Sequence, residues 1–226
     1  AELPVPRSLP EESGPTITAG RIFTSDPDAH LPHVGRYDVR IIGPDRMAVG
    51  WHPHHGPARQ LAEYRRKDKR MPVAVALGGD PAGLLAAMTA QVSPGDVLAL
   101  AGYLRRKPSE LVACRTVALS VAADAELVIE GHIDPSEPPL DVGTVCTPSG
   151  HYTVLKPQSV IHVTALSHRT NPVFPAMAAG TPPTEQTVIA RSLQQIFLPL
   201  LQMAVPELTD YDLPDFAAAR HLGFVS

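Results

Sequence analysis

The sequence predicts an α+β domain, either a mixed sheet or a closed β structure with helices at its periphery. Three observations predict it. Short runs of β-branched and apolar residues recur along the chain, helical patterns of moderate length fall between some of them, and the 25 prolines mark loops rather than a low-complexity tail. With 226 residues and 44% hydrophobic content, the chain is long enough to bury a real core.

Taken in order, Thr16 to Thr24 and Tyr37 to Ile42 alternate β-branched or aromatic residues with polar ones, which predicts half-buried strands, and Met47 to Trp51 continues the pattern. Pro57 to Lys67 sets Ala58, Leu61, Ala62 and Tyr64 at helical spacing and reads as a surface helix, whose solvated end is the basic cluster Arg65 to Arg70. The most informative stretch runs from Met71 to Met88. There Val73 to Ala76 reads as a buried strand, Gly78-Gly79-Asp80-Pro81 breaks it, and a small-residue helix starts after Pro81. Two glycines before a helix N-terminus let backbone amides approach a phosphate or carboxylate. The simpler reading is an ordinary strand-turn-helix connection, since no phosphate-loop lysine follows.

Leu111 to Leu119, Glu126 to Ile133 and Val160 to Ser167 read as further strands between proline-bearing loops. Thr184 to Met203 carries Val188, Ile189, Leu193, Ile196, Phe197, Leu200 and Leu201 on one stripe, which predicts a helix capped by Thr184, with Glu185 in its first turn. Pro199 removes a backbone donor and is expected to kink that helix or end it early.

Composition narrows the function. A net charge of -4 and a pI near 6.2 give no basic footprint for nucleic acid. No apolar run is long enough for a bilayer, and the opening AELPVPRSLPEESGP lacks the basic start and apolar core of a secretion signal. Two cysteines make no disulfide framework. The expectation is a cytoplasmic protein with a small-molecule substrate and neither nucleic acid nor membrane as partner.

Three groups of residues are able to carry chemistry. Trp51-His52-Pro53-His54-His55-Gly56 concentrates three of the ten histidines, and His52 and His54 share a face if extended, which suits a metal. Exposed loop histidines are the plainer reading, because no carboxylate or further histidine follows at a recognised zinc spacing. His33 precedes Gly35-Arg36-Tyr37-Asp38, where Asp38 suits an acid or base if buried, or a surface carboxylate paired with Arg36 or Arg40. Cys146 suits a thiol nucleophile with His151 as its base, or a small core residue.

Several of these pieces resemble, in order, the central domain of the UbiD-type prenylated-FMN-dependent decarboxylases: Thr18-Ala19-Gly20, Asp26-Pro27, His33 to Tyr37, His54 to Ala58, Met71 to Pro81, Ala101 to Arg105, Ala125 to Gly131, Ser167 to Arg169 and Gly180 to Glu185. The resemblance covers nearly the whole chain. It implies a split β-barrel of flavin-binding type with peripheral helices, spanning 16–183, between a proline-rich extension at 1–15 and a C-terminal helix and tail at 184–226. It also implies prenylated FMN, with its phosphate held together with a divalent metal by an Asn, a His and a Glu. The matching positions are His33 for the Asn, His54 or His55 for the His, and Val97 with neighbouring Asp96 for the Glu, so His33, His54 and Asp96 are the metal candidates. Thr18, His33, His54 and Met88 are the candidate cofactor contacts.

The departures shape the functional expectation. The catalytic Arg of the family pattern reads Asp38 here, and its two-glutamate loop reads Asp141-Val142-Gly143-Thr144-Val145-Cys146-Thr147. An anion replacing a cation reverses the local field. The expected function is therefore a repurposed small-molecule pocket doing proton transfer, isomerisation or cyclisation, with Asp38, His54, Cys146 and His151 as catalytic candidates. The alternatives are a non-catalytic subunit partnering a larger decarboxylase chain, or a prenylated-FMN-dependent decarboxylase with altered acid-base residues. A homo-oligomer, or a hetero-oligomer with a UbiD-like chain, is the expected assembly.

Overall fold

Alternation in one strand organises the fold. In β6 (Met71–Leu77), Met71, Val73, Val75 and Leu77 enter one apolar cluster, while Ala74 and Ala76 enter another on the opposite face. The large side chains pack with Ile17, Ile22, Val39, Val49, Leu127, Ile129, Ile133 and Ile161. The two alanines leave room for helices α2 (Pro81–Ala87) and α3 (Asp96–Arg105), which contribute Ala86, Ala87, Val97 and Ala101.

The computed structural model describes residues 3–28, 32–89, 96–147, 150–214 and 222–226. Eight strands form one sheet: β1 (Thr16–Ile17), β2 (Arg21–Ser25), β3 (Pro32–Arg36), β4 (Val39–Ile41), β5 (Arg46–Val49), β6, β9 (Leu127–Ile133) and β12 (Ser159–His168). Their order is β1-β4-β5-β12-β9-β6-β2-β3, and every pairing is antiparallel. The sheet is antiparallel rather than mixed, with β1 and β3 at its two ends, and it is the half-barrel that the split-barrel expectation describes. Helix α1 (Gly56–Arg66) joins β5 to β6 and lays Tyr64 onto the larger cluster. Its basic end is tied down by Lys67 to Asp28, Arg66 to Glu63 and Arg70 to Asp134.

The chain divides into two compact units. Residues 1–7, 14–143 and 155–176 form the first, which holds the sheet, α1 to α3 and the hairpin of β7 (Leu111–Ala113) and β8 (Ser120–Ala122). Residues 8–13, 144–154 and 177–226 form the second, with the hairpin β10 (Thr144–Cys146) and β11 (Tyr152–Val154), helix α4 (Glu185–Ala204), and the pair β13 (Tyr211–Asp212) and β14 (Phe224–Val225).

Two expectations change. The strand expected over Leu111 to Leu119 stops at Ala113, because the carboxylate of Glu130 in β9 takes the next amides: it accepts Arg115 N at 2.9 Å, Thr116 N at 2.6 Å and Thr116 Oγ1 at 2.8 Å. Helix α4 does not end at Pro199 but runs on to Ala204. Its start is as expected, with Thr184 at the cap, where the Thr184 amide donates to Thr187 Oγ1 at 2.9 Å.

Glu130 is 2% exposed. Burial raises its pKa, yet the bonds from Arg115 and Thr116 outweigh that and hold it below the ordinary carboxylate value. Its contribution therefore stands complete above the unfolded value near pH 4.3 and is lost as pH falls through the lower folded value. Glu130→Ala is expected to cost about 3 kcal/mol in urea unfolding, since it strands buried donors. Gly79→Ala is expected to cost about 1 to 3 kcal/mol, because Gly79 has φ of 82° and its added Cβ meets Asp124 Oδ1 at 2.8 Å.

Candidate functional site

The site candidates in the first unit gather on β3, the turn after it and the loop that leads into α1. His33 lies opposite Thr24 on β2 and is 6% exposed. Its Nε2 is 3.0 Å from Tyr37 Oη, and a Cβ on Gly56 would stand 2.7 Å from its Nδ1, so the ring is seated against the first residue of α1. Burial, then His55 and Arg59, push His33 down to about 4, and burial pushes Tyr37 up to about 12. At neutral pH the phenol keeps its proton and is hydrogen-bonded to a neutral imidazole.

Tyr37 continues into the histidine loop. Its ring centre is 5.4 Å from that of His55 and 6.4 Å from that of Trp51. His52 lies 4.9 Å from His54 and 5.7 Å from His55. Burial, then His52 and His54, lower the pKa of His55. The fold therefore joins His33, Tyr37, His52, His54 and His55 into one run of imidazoles and a phenol. Among the described residues, no three His, Cys, Asp or Glu side chains converge as a ready metal site.

Asp38 and Thr18 meet through a third residue. Arg36 donates from Nε to the Thr18 carbonyl at 2.8 Å and from Nη2 to Asp38 Oδ1. The Arg36 side chain is 9% exposed and that of Asp38 45%. The reversal of field expected at Asp38 is corrected by this contact, since a buried guanidinium stands beside the carboxylate and the pair is neutral overall. The signal in the sequence for this pair is the two-residue spacing of Arg36 and Asp38.

The turn Gly78 to Asp80 is not the anion site entertained above. Asp80 caps α2 by accepting Ala82 N at 2.9 Å, and its own amide donates to Asp124 Oδ2 at 3.0 Å. Arg105 reaches Asp80 at 3.1 Å and Asp124 at 3.7 Å, and Arg21 donates to the Gly78 carbonyl at 2.6 Å. Two carboxylates already face that helix end. Met88 closes α2, its amide donating to Leu84 and Leu85 carbonyls. Asp96 opens α3, and its side chain lies outside the described residues; Val97 beside it is buried and apolar.

Cys146 and His151 belong to the second unit, and the residues just described to the first. The hairpin links Thr147 N and Oγ1 to the His151 carbonyl, at 2.8 Å and 3.0 Å. Cys146 Sγ donates to the Thr147 carbonyl at 3.4 Å, and its amide donates to Glu12 Oε1 at 3.3 Å. Burial, then Glu12, raise the thiol pKa, which corrects the nucleophile reading of Cys146: the group stays a thiol at neutral pH.

Comparison with known proteins places this geometry. Residues 1–182 match the family model described as UbiD: 3-octaprenyl-4-hydroxybenzoate carboxy-lyase Rift-related domain. An uncharacterized protein of Aquifex aeolicus is 34% identical over 225 residues, covering 100% of this chain and 46% of that protein. An evolved dimeric form of the UbiD-class enzyme HmfF from Pelotomaculum thermopropionicum, in complex with prFMN, superposes with a TM-score of 0.87 at 29% identity, over 99% of this chain and 52% of that one. The apo 3,4-dihydroxybenzoic acid decarboxylase AroY of Klebsiella pneumoniae gives 0.85 at 25% identity, over 99% and 48%. The chain spans about half the length of these relatives. Its open antiparallel sheet is the curled half-barrel of their flavin-binding domain, and the chain belongs to the UbiD family.

Proposed function

We propose that this UbiD-type domain acts on a small organic molecule by proton transfer, with Asp38 taking and returning the proton and Arg36 as its positioning residue. The observation that carries this reading is the ion pair of Arg36 and Asp38, fixed to the Thr18 carbonyl. A working base needs a carboxylate held in one place and reachable by the substrate. The buried guanidinium supplies the first condition and the 45% exposure of Asp38 the second. In the step, the carboxylate takes a proton from an acidic C–H or O–H and becomes the neutral acid, then gives the proton back at another atom of the same molecule. An isomerisation of that kind needs no co-reactant. Tyr37 and His33 border the segment as a neutral hydrogen-bonded pair at working pH.

The cofactor clamp implied by family resemblance fits poorly. A hard divalent cation beside a phosphate takes oxygen ligands. The matched positions offer the imidazole of His33, bonded to Tyr37, the imidazole of His54, and, where the Glu is expected, the buried apolar Val97 beside Asp96, whose side chain lies outside the described residues. No step is therefore routed through a flavin. A second reading, decarboxylation with prenylated FMN, is supported by the relative HmfF in complex with prFMN and by the guanidinium that Arg36 keeps in this segment. Association into a homodimer is supported by the exposed apolar face of α4, where Val188, Leu200, Leu201 and Met203 are 40 to 81% exposed, and by the dimeric form of that relative.

The function is tested with 4-hydroxybenzoate in D2O, following ring-proton exchange and loss of the carboxylate by NMR. Exchange by the wild type that falls at least 100-fold in Asp38→Asn and in Arg36→Leu, with an unchanged unfolding midpoint, is the expected result. Release of phenol by protein carrying a flavin absorbance replaces it with the second reading, and exchange unaffected by Asp38→Asn overturns it.

The His33 environment makes a separate prediction. Its folded value near 4 lies below the unfolded value of about 6.5, so its contribution is complete above pH 6.5 and is lost as pH falls through 4. The His33 ring is expected to show no NMR titration between pH 7 and 5. His33→Asn is expected to flatten the pH dependence of the urea midpoint over the same range.

A further inference from the structure

A bare glycine lies beside Asp38 on the sheet, and the Arg36–Asp38 pair does not account for it. Val39 of β4, Val49 of β5 and Ser159 of β12 are register partners in one row, and one residue past them stand Asp38, Gly50 and Gln158. Val39 and Val49 enter the core cluster, whereas Asp38 and Gly50 are exposed. Neighbouring strands lie about 4.8 Å apart, so Asp38 and Gln158 flank the backbone of Gly50 at roughly twice that spacing.

Gly50 has no backbone reason to be glycine, since it is not among the residues of positive φ. A Cβ there would stand 3.0 Å from Gln158 Nε2 and 3.3 Å from its Cγ, so the carboxamide occupies the space a side chain would take. Gln158 is 8% exposed and exchanges both backbone hydrogen bonds with Leu140, at 2.8 Å each, which fixes the residue. Its Oε1, in contrast, is buried with no hydrogen-bond partner among the described residues. A glutamine kept for structure has its amide bonded to the protein. Here the fold leaves that amide uncommitted and turns its Nε2 toward the glycine.

We infer that Gln158 is a substrate-binding residue of the Asp38 site, donating from Nε2 to an oxygen of a small oxo compound, or of its enol, that lies over Gly50. The inference rests on the proton-transfer reading given above and names the substrate class for it. When the Asp38 carboxylate takes the proton from the carbon beside a carbonyl, the C–H electron pair becomes the C=C bond of the enolate and the carbonyl electrons move onto oxygen. An N–H donor at that oxygen stabilises the charge as it forms. The neutral acid of Asp38 then returns the proton to another atom of the same molecule.

The test reads binding and turnover apart. In protein with glutamine side chains labelled in 15N, the Gln158 amide, assigned by its loss in Gln158→Leu, is expected to shift on addition of 4-hydroxybenzoate, a ring-fixed enol, and not of benzoate, which lacks that oxygen. Gly50→Ala, which fills the floor, is expected to remove the shift. In the D2O exchange measurement, Gln158→Leu is expected to slow the wild-type rate by about 100-fold with an unchanged unfolding midpoint. An equal shift with benzoate, or an Asp38-dependent exchange that Gln158→Leu leaves unchanged, overturns the role of Gln158 and leaves the proton-transfer reading standing. Absence of exchange in the wild type overturns that reading instead, and the amide shift, which needs no turnover, still decides whether Gln158 binds the oxygen.

Discussion

Strand β6 must satisfy two packing partners at once, and the rest of the domain depends on how it does so. The face carrying Met71, Val73, Val75 and Leu77 needs bulk, because it meets aliphatic side chains from β1, β2, β4, β5, β9 and β12. The face carrying Ala74 and Ala76 needs the reverse, because α2 and α3 approach the sheet there with alanines of their own. A shift of one residue would exchange the two sets. The register Met71 to Ile133 through Leu77 to Leu127 is thereby fixed, and β2 on the other side inherits it through Arg21 to Ala76. Pairing of β2 with β3 then sets His33 opposite Thr24 and delivers Arg36 to the Thr18 carbonyl. The candidate segment is placed by packing several residues away from it.

The charge at that segment shows why a substitution is best read with its neighbours. An arginine pattern position occupied by Asp38 reads, on its own, as a reversed field. Arg36, two residues earlier, restores a cation within reach of the same carboxylate. Being 9% exposed, its guanidinium is held by a backbone carbonyl rather than by water, so the pair has a defined geometry. An exposed pair on a flexible loop would contribute little.

Much of the fold was legible because burial follows period. The run of β6 and Tyr64 of α1 are buried at the spacings local geometry dictates, whereas β2, expected half-buried, is buried at all five positions, and the helix expected at α4 forms with Thr187 as its buried residue and its apolar stripe partly exposed. The strand over Leu111 to Leu119 was misread because its β-branched residues do not reveal that Glu130, a residue of another strand, withdraws the amides of Arg115 and Thr116 from the ladder. Helix α3 was missed since Val97 to Arg105 gives an apolar run with little amphipathic contrast. The candidate site divides in the same manner. Asp38 with Arg36 and the histidine loop are local groupings visible in the order of residues, whereas Tyr37 becomes a partner of His33 and His55 only when the turn after β3 meets the loop before α1.

Histidines in the loop and on the sheet are held by different ring nitrogens. In the loop, the amide of His54 donates to His52 Nδ1 at 3.5 Å and the amide of His52 donates to His55 Nδ1 at 3.3 Å. His162 is held at the other nitrogen, its Nε2 lying 2.5 Å from Glu137 Oε2. The loop rings are thus fixed by their own backbone, which the order of residues predicts, while the ring on β12 is fixed by a carboxylate from the segment after β9, which only the folded sheet brings to it.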